Sequence, residues 1–338
     1  MKILVGSYAF GPAVGGIESV SSLLARRWSE SGHEVRVATE TASPVPDAGR
    51  YPVVRQPTAG QMLRLLKWSD IYFQNNLSLV LLWPWLLTSR PLFITHQTWL
   101  WHTRSRGHPA VRLKLLASRL ARNIAISGAV ASNLPFDAVV VGNPYDEDQF
   151  HADAAPVAGR DLLFVGRLVR DKGCDLFLRA LGRLRELGCE ATATVVGDGP
   201  ERPAAESLAR KLGIAGLVEF RGWQRGNELA ECYRAHRTLV VPSRWEEPFG
   251  IVALEGLASG CRLVVAASGG LPEAAGPGGR VFSKEDWIGL SEILREQIQG
   301  APQAPDDAER SHLERHGSRR VAERYVDLFT RALPREDF

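Results

Sequence analysis

Short apolar runs alternate along this chain with stretches of helical periodicity. Near the N-terminus the apolar run Lys2–Gly6 leads into a glycine-containing loop, after which apolar residues recur at the spacing of one helix face: Ile17, Val20, Leu23, Leu24 and Trp28. Further apolar runs predict strands at Val35–Ala38, Asp70–Phe73, Leu92–Thr95, Asn123–Ile126 and Ala138–Val141, with an apolar helix at Leu77–Leu87. Short apolar strands separated by helices are typical of a parallel sheet covered on both faces.

A second series of the same kind begins near Asp161. Its predicted strands are Leu162–Val165, Ala193–Val196, Val218–Phe220, Leu239–Val241 and Arg262–Ala266. Between the two series, His151–Arg160 contains a proline and a glycine and is predicted to be a linker. We therefore predict an α/β protein with two doubly wound domains, 1–155 and 156–316, and a C-terminal helix in 317–338 that packs back on the first domain.

Length and composition agree with a two-domain globular enzyme. The chain has 338 residues, of which 45% are apolar and 23% charged. The net charge of +3 is too small to indicate a nucleic-acid partner, but residues 1–125 carry 15 Lys/Arg against 6 Asp/Glu. A basic first half suits anionic ligands or an acidic membrane surface. Four scattered cysteines without metal-type spacing indicate buried thiols in a reducing compartment, and we expect a cytoplasmic protein.

Two glutamates mark the most informative segment, Pro242–Glu255. Glu247 falls in a loop and Glu255 lies about one turn into the helix that follows. The N–H groups at Phe249, Gly250 and Ile251 would point out of the start of that helix, where phosphate oxygens bind. Each carboxylate can accept two hydrogen bonds, so Glu247 can bind sugar hydroxyls and Glu255 a ribose diol. The alternative is a pair of surface glutamates stabilised by the helix dipole.

This segment resembles the E-x7-E signature of the retaining GT-B glycosyltransferases of family 4, the glycosyltransferase group 1 family. The likeness extends over nearly the whole chain through Gly15–Glu18, Phe164–Gly173, Val196–Glu201, Phe220–Trp223 and Ser268–Glu273. Each motif alone is a weak signal, but their joint order is specific. The resemblance implies a GT-B fold with two Rossmann-like domains facing a cleft. It also implies a nucleotide-sugar donor held mostly by the second domain, and retention of configuration at the anomeric carbon.

Two cations and several glycines follow the predicted strands. Arg167 and Lys172 lie beside Gly166 and Gly173, where they can neutralise a departing diphosphate, and the resemblance makes them its clamp. The alternative is a pair of solvated cations on a loop. The resemblance gives the remaining nucleotide contacts to the loop glycines Gly15 and Gly16 and to Arg221, Gly222 and Trp223 beside the base.

His96 ends a predicted strand, so that its side chain can face the cleft. In similar enzymes a histidine at this position meets the donor sugar near the reacting carbon; the alternative is a structural imidazole. Gln97, Trp99 and Trp101 depart from the family pattern nearby, which leaves the acceptor geometry open.

Asp146-Glu147-Asp148 matches a DxD metal motif of a different transferase fold. Its position shortly before the predicted linker favours a loop between the domains. Because Arg167 and Lys172 already supply positive charge, we predict metal-independent chemistry with no metal ligand and no cofactor beyond the donor co-substrate.

The stretch 102–122 carries six Lys/Arg among leucines and no acid. It can be a basic amphipathic helix that lies on anionic lipid, on the inner face of the membrane, or a solvated helix packed on its own domain. Both interpretations stay open.

Together these features predict a retaining glycosyltransferase that moves a sugar from a UDP- or GDP-linked donor to a glycan, lipid-linked or small-molecule acceptor, in surface polysaccharide or glycoconjugate synthesis. The alternatives are a nucleotide-sugar epimerase or glycosidic phosphorylase on the same architecture, and a catalytically silent binding protein. A dinucleotide dehydrogenase is disfavoured because no GxGxxG follows a strand.

Overall fold

The chain forms two α/β units in the computed structural model, which describes residues 1–12, 15–44, 49–100, 108–152, 159–300 and 305–334. The first unit contains Met1–Pro144 together with the segment that starts at Gly317, and the second contains Tyr145–His316.

A seven-stranded sheet forms the centre of the first unit. Its strands are β1 (Lys2–Ser7), β2 (Glu34–Thr39), β3 (Val53–Arg55), β4 (Ile71–Asn75), β5 (Leu92–His96), β6 (Arg122–Ala125) and β7 (Val139–Val140). All pairs are parallel, and the order is β3-β2-β1-β4-β5-β6-β7. The helices that connect the strands are α1 (Gly16–Glu30), α2 (Ala59–Trp68), α3 (Leu79–Leu82), α4 (Pro109–Arg119) and α5 (Gly128–Asn133), with a 3₁₀ helix at Trp83–Leu87.

A six-stranded parallel sheet forms the second unit in the order β10-β9-β8-β11-β12-β13. Its strands are β8 (Arg160–Val165), β9 (Ala193–Val196), β10 (Val218–Gly222), β11 (His236–Val241), β12 (Arg262–Ala266) and β13 (Arg280–Phe282). The helices are α6 (Cys174–Glu186), α7 (Arg202–Lys211), α8 (Gly226–Arg234), α9 (Ile251–Ala258), α10 (Leu271–Ala275), α11 (Trp287–Gln299) and α12 (Asp307–His316), with a 3₁₀ helix at Arg170–Lys172. Both sheets are therefore doubly wound, and the strand order reverses at β1/β4 and at β8/β11.

The last helix, α13 (Ser318–Thr330), packs against α1 in the first unit. Its Phe329 ring lies 4.8 Å from Phe93 and 5.5 Å from Trp28, measured between ring centroids. The Trp28 indole N–H donates to the carbonyl of Ala322 at 3.1 Å. Buried aromatic rings in edge-to-face contact contribute beyond their buried area, so α13, near the end of the chain, completes the core of a unit that begins at Met1.

Some elements differ from the sequence prediction. Leu77–Leu87 is not one helix: α3 is a single turn, and Pro84 places the following residues in a 3₁₀ helix because proline cannot donate the backbone hydrogen bond that an α-helix needs. The short edge strands β3 and β13 and the helix α12 were not predicted. Among the described helices, none is long and apolar enough to cross a bilayer.

The chain enters the second unit at Tyr145, whereas the sequence pattern placed the boundary near residue 155. The Tyr145 N–H donates to the carbonyl of His316 at 3.1 Å, and the Phe150 ring lies 5.8 Å from that of Tyr233. Of the predicted linker His151–Arg160, residues 153–158 lie outside the described residues.

Removing the Phe329 ring should destabilise the first unit. In Phe329→Ala the core loses a fully buried ring, and we expect a loss of about 3–5 kcal/mol. Hydrogen exchange measures this loss as faster exchange of the β1, β4 and β5 amides. The exposed neighbour variant Thr330→Ala is the control, and equal protection in both variants would contradict the packing described.

Candidate active site

The strand-order reversal of the second unit brings two loops together. β8 pairs with β9 on one side and with β11 on the other, so the loops 166–173 and 242–250 leave neighbouring strands at their carboxyl ends. In doubly wound sheets ligands bind in the crevice at this point.

The carbonyl oxygen of Asp171 fastens these two loops to each other. It accepts the backbone N–H groups of Arg244 at 2.8 Å and Trp245 at 3.1 Å, and the Ser243 hydroxyl at 3.1 Å. The Arg244 guanidinium adds a bidentate ion pair to Asp175 at the start of α6, at 2.5 and 2.9 Å. Burial alone would raise the pKa of the Asp175 carboxyl, but the hydrogen bonds and charge of Arg244 lower it. The loops therefore hold one geometry through a shared acceptor and an ion pair.

Glycine is required where the backbone of loop 166–173 approaches that of loop 242–250 most closely. Gly173 has φ +70°, and a Cβ there would lie 2.0 Å from the carbonyl oxygen of Pro242. Side chains are excluded both by the left-handed conformation and by the neighbouring backbone. The resulting close approach sets Lys172 beside the β11 loop.

Lys172 and Glu247, which come from the two loops, form a direct ion pair. The Lys172 Nζ lies 2.5 Å from Glu247 Oε1, and the Ser243 hydroxyl donates to the same oxygen at 2.8 Å. Glu247 Oε2 has no hydrogen-bond partner among the described residues, and the ammonium group keeps N–H donors beyond the one it uses here. The pair is thus oriented internally and still has donor and acceptor capacity for a ligand.

The loop after β12 holds the backbone of the loop that carries Glu247. The Gly270 N–H donates to the Glu247 carbonyl at 2.7 Å, and the Ser268 hydroxyl donates to the carbonyl of Trp245 at 2.6 Å. This loop belongs to the motif Ser268–Glu273, to which the sequence assigned no role. Its glycines follow β12 and let the backbone approach the acid-bearing loop.

Arg167 follows β8 directly and is exposed. Its guanidinium has no hydrogen bond or ion pair to any part of the chain that the structure describes. A cation whose charge is not neutralised, on a loop that also carries Lys172, gives this edge of the sheet a positive potential suited to an anion.

Backbone groups of three neighbouring strands line the same edge beyond Gly166. The Gly166 N–H donates to the Val196 carbonyl at 3.0 Å, and the Gly197 N–H donates to the Gly222 carbonyl at 2.7 Å. Trp223 follows with half of its surface exposed. The Arg221 side chain instead binds Glu219 at 2.9 Å, so only its backbone is available at this edge.

Phe249, Gly250 and Ile251 form the entry to α9, as the sequence predicted. The N–H groups of the first helical turn have no partner within the helix and carry partial positive charge. The buried Phe249 ring packs 5.4 Å from the ring of His316, which itself lies 4.8 Å from that of His312 on α12. This pair of histidines, which the sequence did not single out, supports the start of α9 from the unit's interior.

Glu255 lies one turn further along α9 and accepts a hydrogen bond from the Tyr233 hydroxyl at 3.0 Å. The pKa of the Glu255 carboxyl is raised to about 7: burial is the largest cause, the hydrogen bond from Tyr233 opposes it, and the negative charge of Asp146 adds to it. The DxD-like residue Asp146 therefore acts on α9 within the second unit, a proximity that the sequence did not indicate.

In the first unit, Gly15 and Gly16 stand at the entry to α1, as expected after β1, with Gly15 as its N-cap. The imidazole of His96 is buried, although the sequence expected it to face a ligand. Its Nε2 lies 2.9 Å from Asn123 Oδ1, and the Asn123 amide donates to the carbonyls of Ser118 and Ala121. Asn123 Oδ1 is thus an acceptor, and Nε2 of His96 is the protonated nitrogen. Burial lowers the pKa of His96, which favours the neutral ring.

Comparison with known proteins supports the sequence resemblance for the second unit. Residues 146–310 match the family Glycosyl transferases group 1. An uncharacterized glycosyltransferase of Methanocaldococcus jannaschii, MJ1607, is 40% identical over 112 residues, which are 33% of this chain and 28% of that protein. The D-inositol 3-phosphate glycosyltransferase of Streptomyces coelicolor is 34% identical over 184 residues, or 51% of this chain and 40% of that protein. The matches thus span less than half of each relative.

The fold likeness covers the whole chain. The crystal structure of Anabaena HepE in complex with UDP-glucose has a TM-score of 0.80 to this chain at 19% identity, covering 98% of this chain and all of that one. Together with the two parallel-sheet units, this likeness identifies the GT-B fold.

Adding a methyl group at Gly173 should disturb the site more than the same change elsewhere. Gly188 is the matched control, because its φ of +74° is equally strained for alanine while a Cβ there would meet nothing within 4 Å. We expect Gly188→Ala to lose about 1 kcal/mol of unfolding free energy, and Gly173→Ala to lose at least about 1–2 kcal/mol more from the clash with Pro242. Urea unfolding measures both, and equal losses would rule out the close approach.

The elevated pKa of Glu255 predicts a pH-dependent stability. Because the folded-state pKa lies above the ordinary value of 4.5, the folded protein retains a proton that the unfolded chain has lost. Stability therefore falls as the pH rises from about 4.5 to about 7, and levels off above that range. Glu255→Gln should reduce this fall by about 1–3 kcal/mol, measured as unfolding free energy against pH. Glu231→Gln, an exposed acid on α8, should leave the curve unchanged.

Proposed function

We propose that this protein is a retaining glycosyltransferase that transfers a sugar from a nucleoside-diphosphate donor to an acceptor hydroxyl, on a glycan, a lipid-linked saccharide or a small molecule. One observation carries the proposal: the Lys172–Glu247–Ser243 cluster stands at the β8/β11 reversal, beside Arg167 and the start of α9. It lies within the segment that matches the group 1 glycosyltransferases.

The positive groups of this edge would bind the donor diphosphate. Arg167 and Lys172 supply two cations, and the first N–H groups of α9, at Phe249, Gly250 and Ile251, supply dipoles. Negative charge develops on the diphosphate as the bond to the sugar breaks, and donors already in place stabilise it without reorganisation. These groups supply the charge that a metal ion provides in other transferases, so we propose a metal-independent reaction.

The two glutamates would hold the two ends of the donor. Glu247 Oε2 would accept hydrogen bonds from the sugar hydroxyls, while Lys172 and Ser243 keep the carboxylate in place through Oε1. Glu255 would accept the ribose diol from α9, and the backbone at Gly166, Gly222 and Trp223 would border the base. The Anabaena neighbour was crystallised in complex with UDP-glucose, which supports a UDP-linked sugar as the first donor to test.

The resemblance to the retaining family supports our proposal of retention of configuration. The acceptor hydroxyl would enter from the face on which the diphosphate leaves, and its proton would pass to the departing phosphate oxygen. We propose no covalent nucleophile. The roles that the resemblance gives to Gly15, Gly16 and His96 in the first unit remain predictions. Because Nε2 of His96 carries the proton, Nδ1 is the ring nitrogen that could accept a hydrogen bond from a ligand.

Loss of either charge in the central ion pair should abolish sugar transfer. We expect Glu247→Gln and Lys172→Met each to lower kcat by about 10²–10³-fold, because each removes a group that stabilises the departing diphosphate or orients the sugar. The neighbouring ion pair of Glu246 and Lys284, with Nζ 2.6 Å from Oε1, gives matched controls. Glu246→Gln and Lys284→Met should stay within about threefold of the parent. Transfer is measured with labelled UDP-glucose, then with GDP- and ADP-linked sugars, against a panel of acceptors.

Two outcomes would overturn the assignment. Near-parental transfer in both central variants would show that the ion pair does not serve the reaction, and an inverted anomeric product, read by proton NMR, would exclude retention. Conversion of the donor sugar without any acceptor would instead identify the epimerase alternative.

A further inference from the structure

Helix α4 presents leucines to its surroundings. Leu113, Leu116 and Leu120 are 53%, 57% and 60% exposed, and their spacing places them on one side of the helix. The opposite side carries the buried Ser118 and the partly buried Val111 and Leu115. A helix packed on its domain ordinarily buries its leucines, so these three leucines depart from that pattern.

A second exposed apolar segment lies on the same side of the sheet. Four residues of α3 and the 3₁₀ helix that follows are half-exposed or more: Val80, Trp83, Leu86 and Leu87. Their inward neighbours Leu82 and Trp85 pack on the same apolar cluster as Ala117 and Ala121, at the end of α4. The exposed residues of α3, the 3₁₀ helix and α4 therefore belong to one side of the first unit, here called the apolar–basic face.

The charge around this face has a single sign. Residues 71–136 contain no Asp or Glu and seven Lys or Arg. Arg112 and Arg119 are exposed beside the leucines of α4, and neither guanidinium has a partner among the described residues. Two more, Arg104 and Arg106, lie in a segment outside the described residues.

We propose that the apolar–basic face docks on an anionic lipid surface. Lipid supplies both requirements at once: an acyl boundary for the leucines and Trp83, and negative head groups for Arg112 and Arg119. Nucleic acid offers no apolar phase for the leucines. A second copy of the chain would bring an equally basic face into a symmetric contact, where like charges repel. The first unit thus binds the membrane without spanning it, and the binding requires neither donor nor acceptor.

Vesicle co-sedimentation of the full chain tests this inference. The probes are vesicles of phosphatidylcholine alone and vesicles of phosphatidylcholine with about 30% phosphatidylglycerol, whose surface is strongly negative. We expect binding to the anionic vesicles only, weakening as NaCl rises from about 50 to about 500 mM. Leu113→Ser/Leu116→Ser/Leu120→Ser should weaken it at least about tenfold at every salt concentration. Arg112→Gln/Arg119→Gln should weaken it about 30-fold at low salt, since each cation contributes about 1 kcal/mol.

Matched variants in the second unit control for surface hydrophobicity and net charge. Leu187→Ser/Ile288→Ser removes two exposed apolar residues, and Arg210→Gln/Lys211→Gln removes two exposed cations. Both should bind vesicles like the parent, and circular dichroism checks that every variant is folded. Three results would overturn the inference: no binding to anionic vesicles, equal loss in the controls, or a concentration-dependent dimer that the leucine variant abolishes. Because the assay contains no sugar, its failure would leave the proposed transfer reaction standing.

Discussion

The ion pair between Lys172 and Glu247 depends on two loops being held in register, and the rest of the candidate site depends on that ion pair. The attraction between the two charges grows as their separation falls, so the ion pair is strongest while the backbones of the two loops are held close together. Two interactions hold the loops together: the Asp171 carbonyl accepts three hydrogen bonds from the second loop, and Arg244 forms an ion pair with Asp175. Gly173 allows the loops to lie this close, because any side chain at this position would push them apart. At the β8/β11 reversal, the contacts between the loops therefore position the ion pair, and the ion pair in turn positions the groups that can bind a ligand.

Burial assigns different chemistry to residues of the same type. Glu247, whose side chain is 12% exposed, pairs with an ammonium group, while Glu255 lies against Tyr233 and burial is the largest cause that raises its pKa to about 7. His96 is similarly defined by its surroundings: Asn123 selects its tautomer, and burial keeps it neutral. These assignments follow from desolvation and hydrogen bonding, which can move a pKa in either direction.

Central strands and short edge strands differ in how closely the sequence anticipated them. Buried parallel strands are continuous apolar runs, so β1, β4, β5 and β8 were predicted within a residue or two. The edge strands β3 and β13 were missed because they are short, with apolar residues at the surface. Helix α4 is informative in another way. Its leucines suggested either a packed helix or a membrane-facing one, and in the fold Leu113, Leu116 and Leu120 are exposed.

The sequence by itself determined the order of strands and helices, the glycine-bearing loops after β8 and β11, and the one-sided charge of residues 71–136. These follow from local periodicity and composition, which a linear chain displays directly. Tertiary structure alone decided that Lys172 meets Glu247 across 75 positions of chain, that Asp146 acts on Glu255, that His96 turns inward to Asn123, and that the α4 leucines turn outward. Each of these depends on neighbours distant in sequence, because desolvation, pairing and exposure are properties of the folded surroundings and not of the residue.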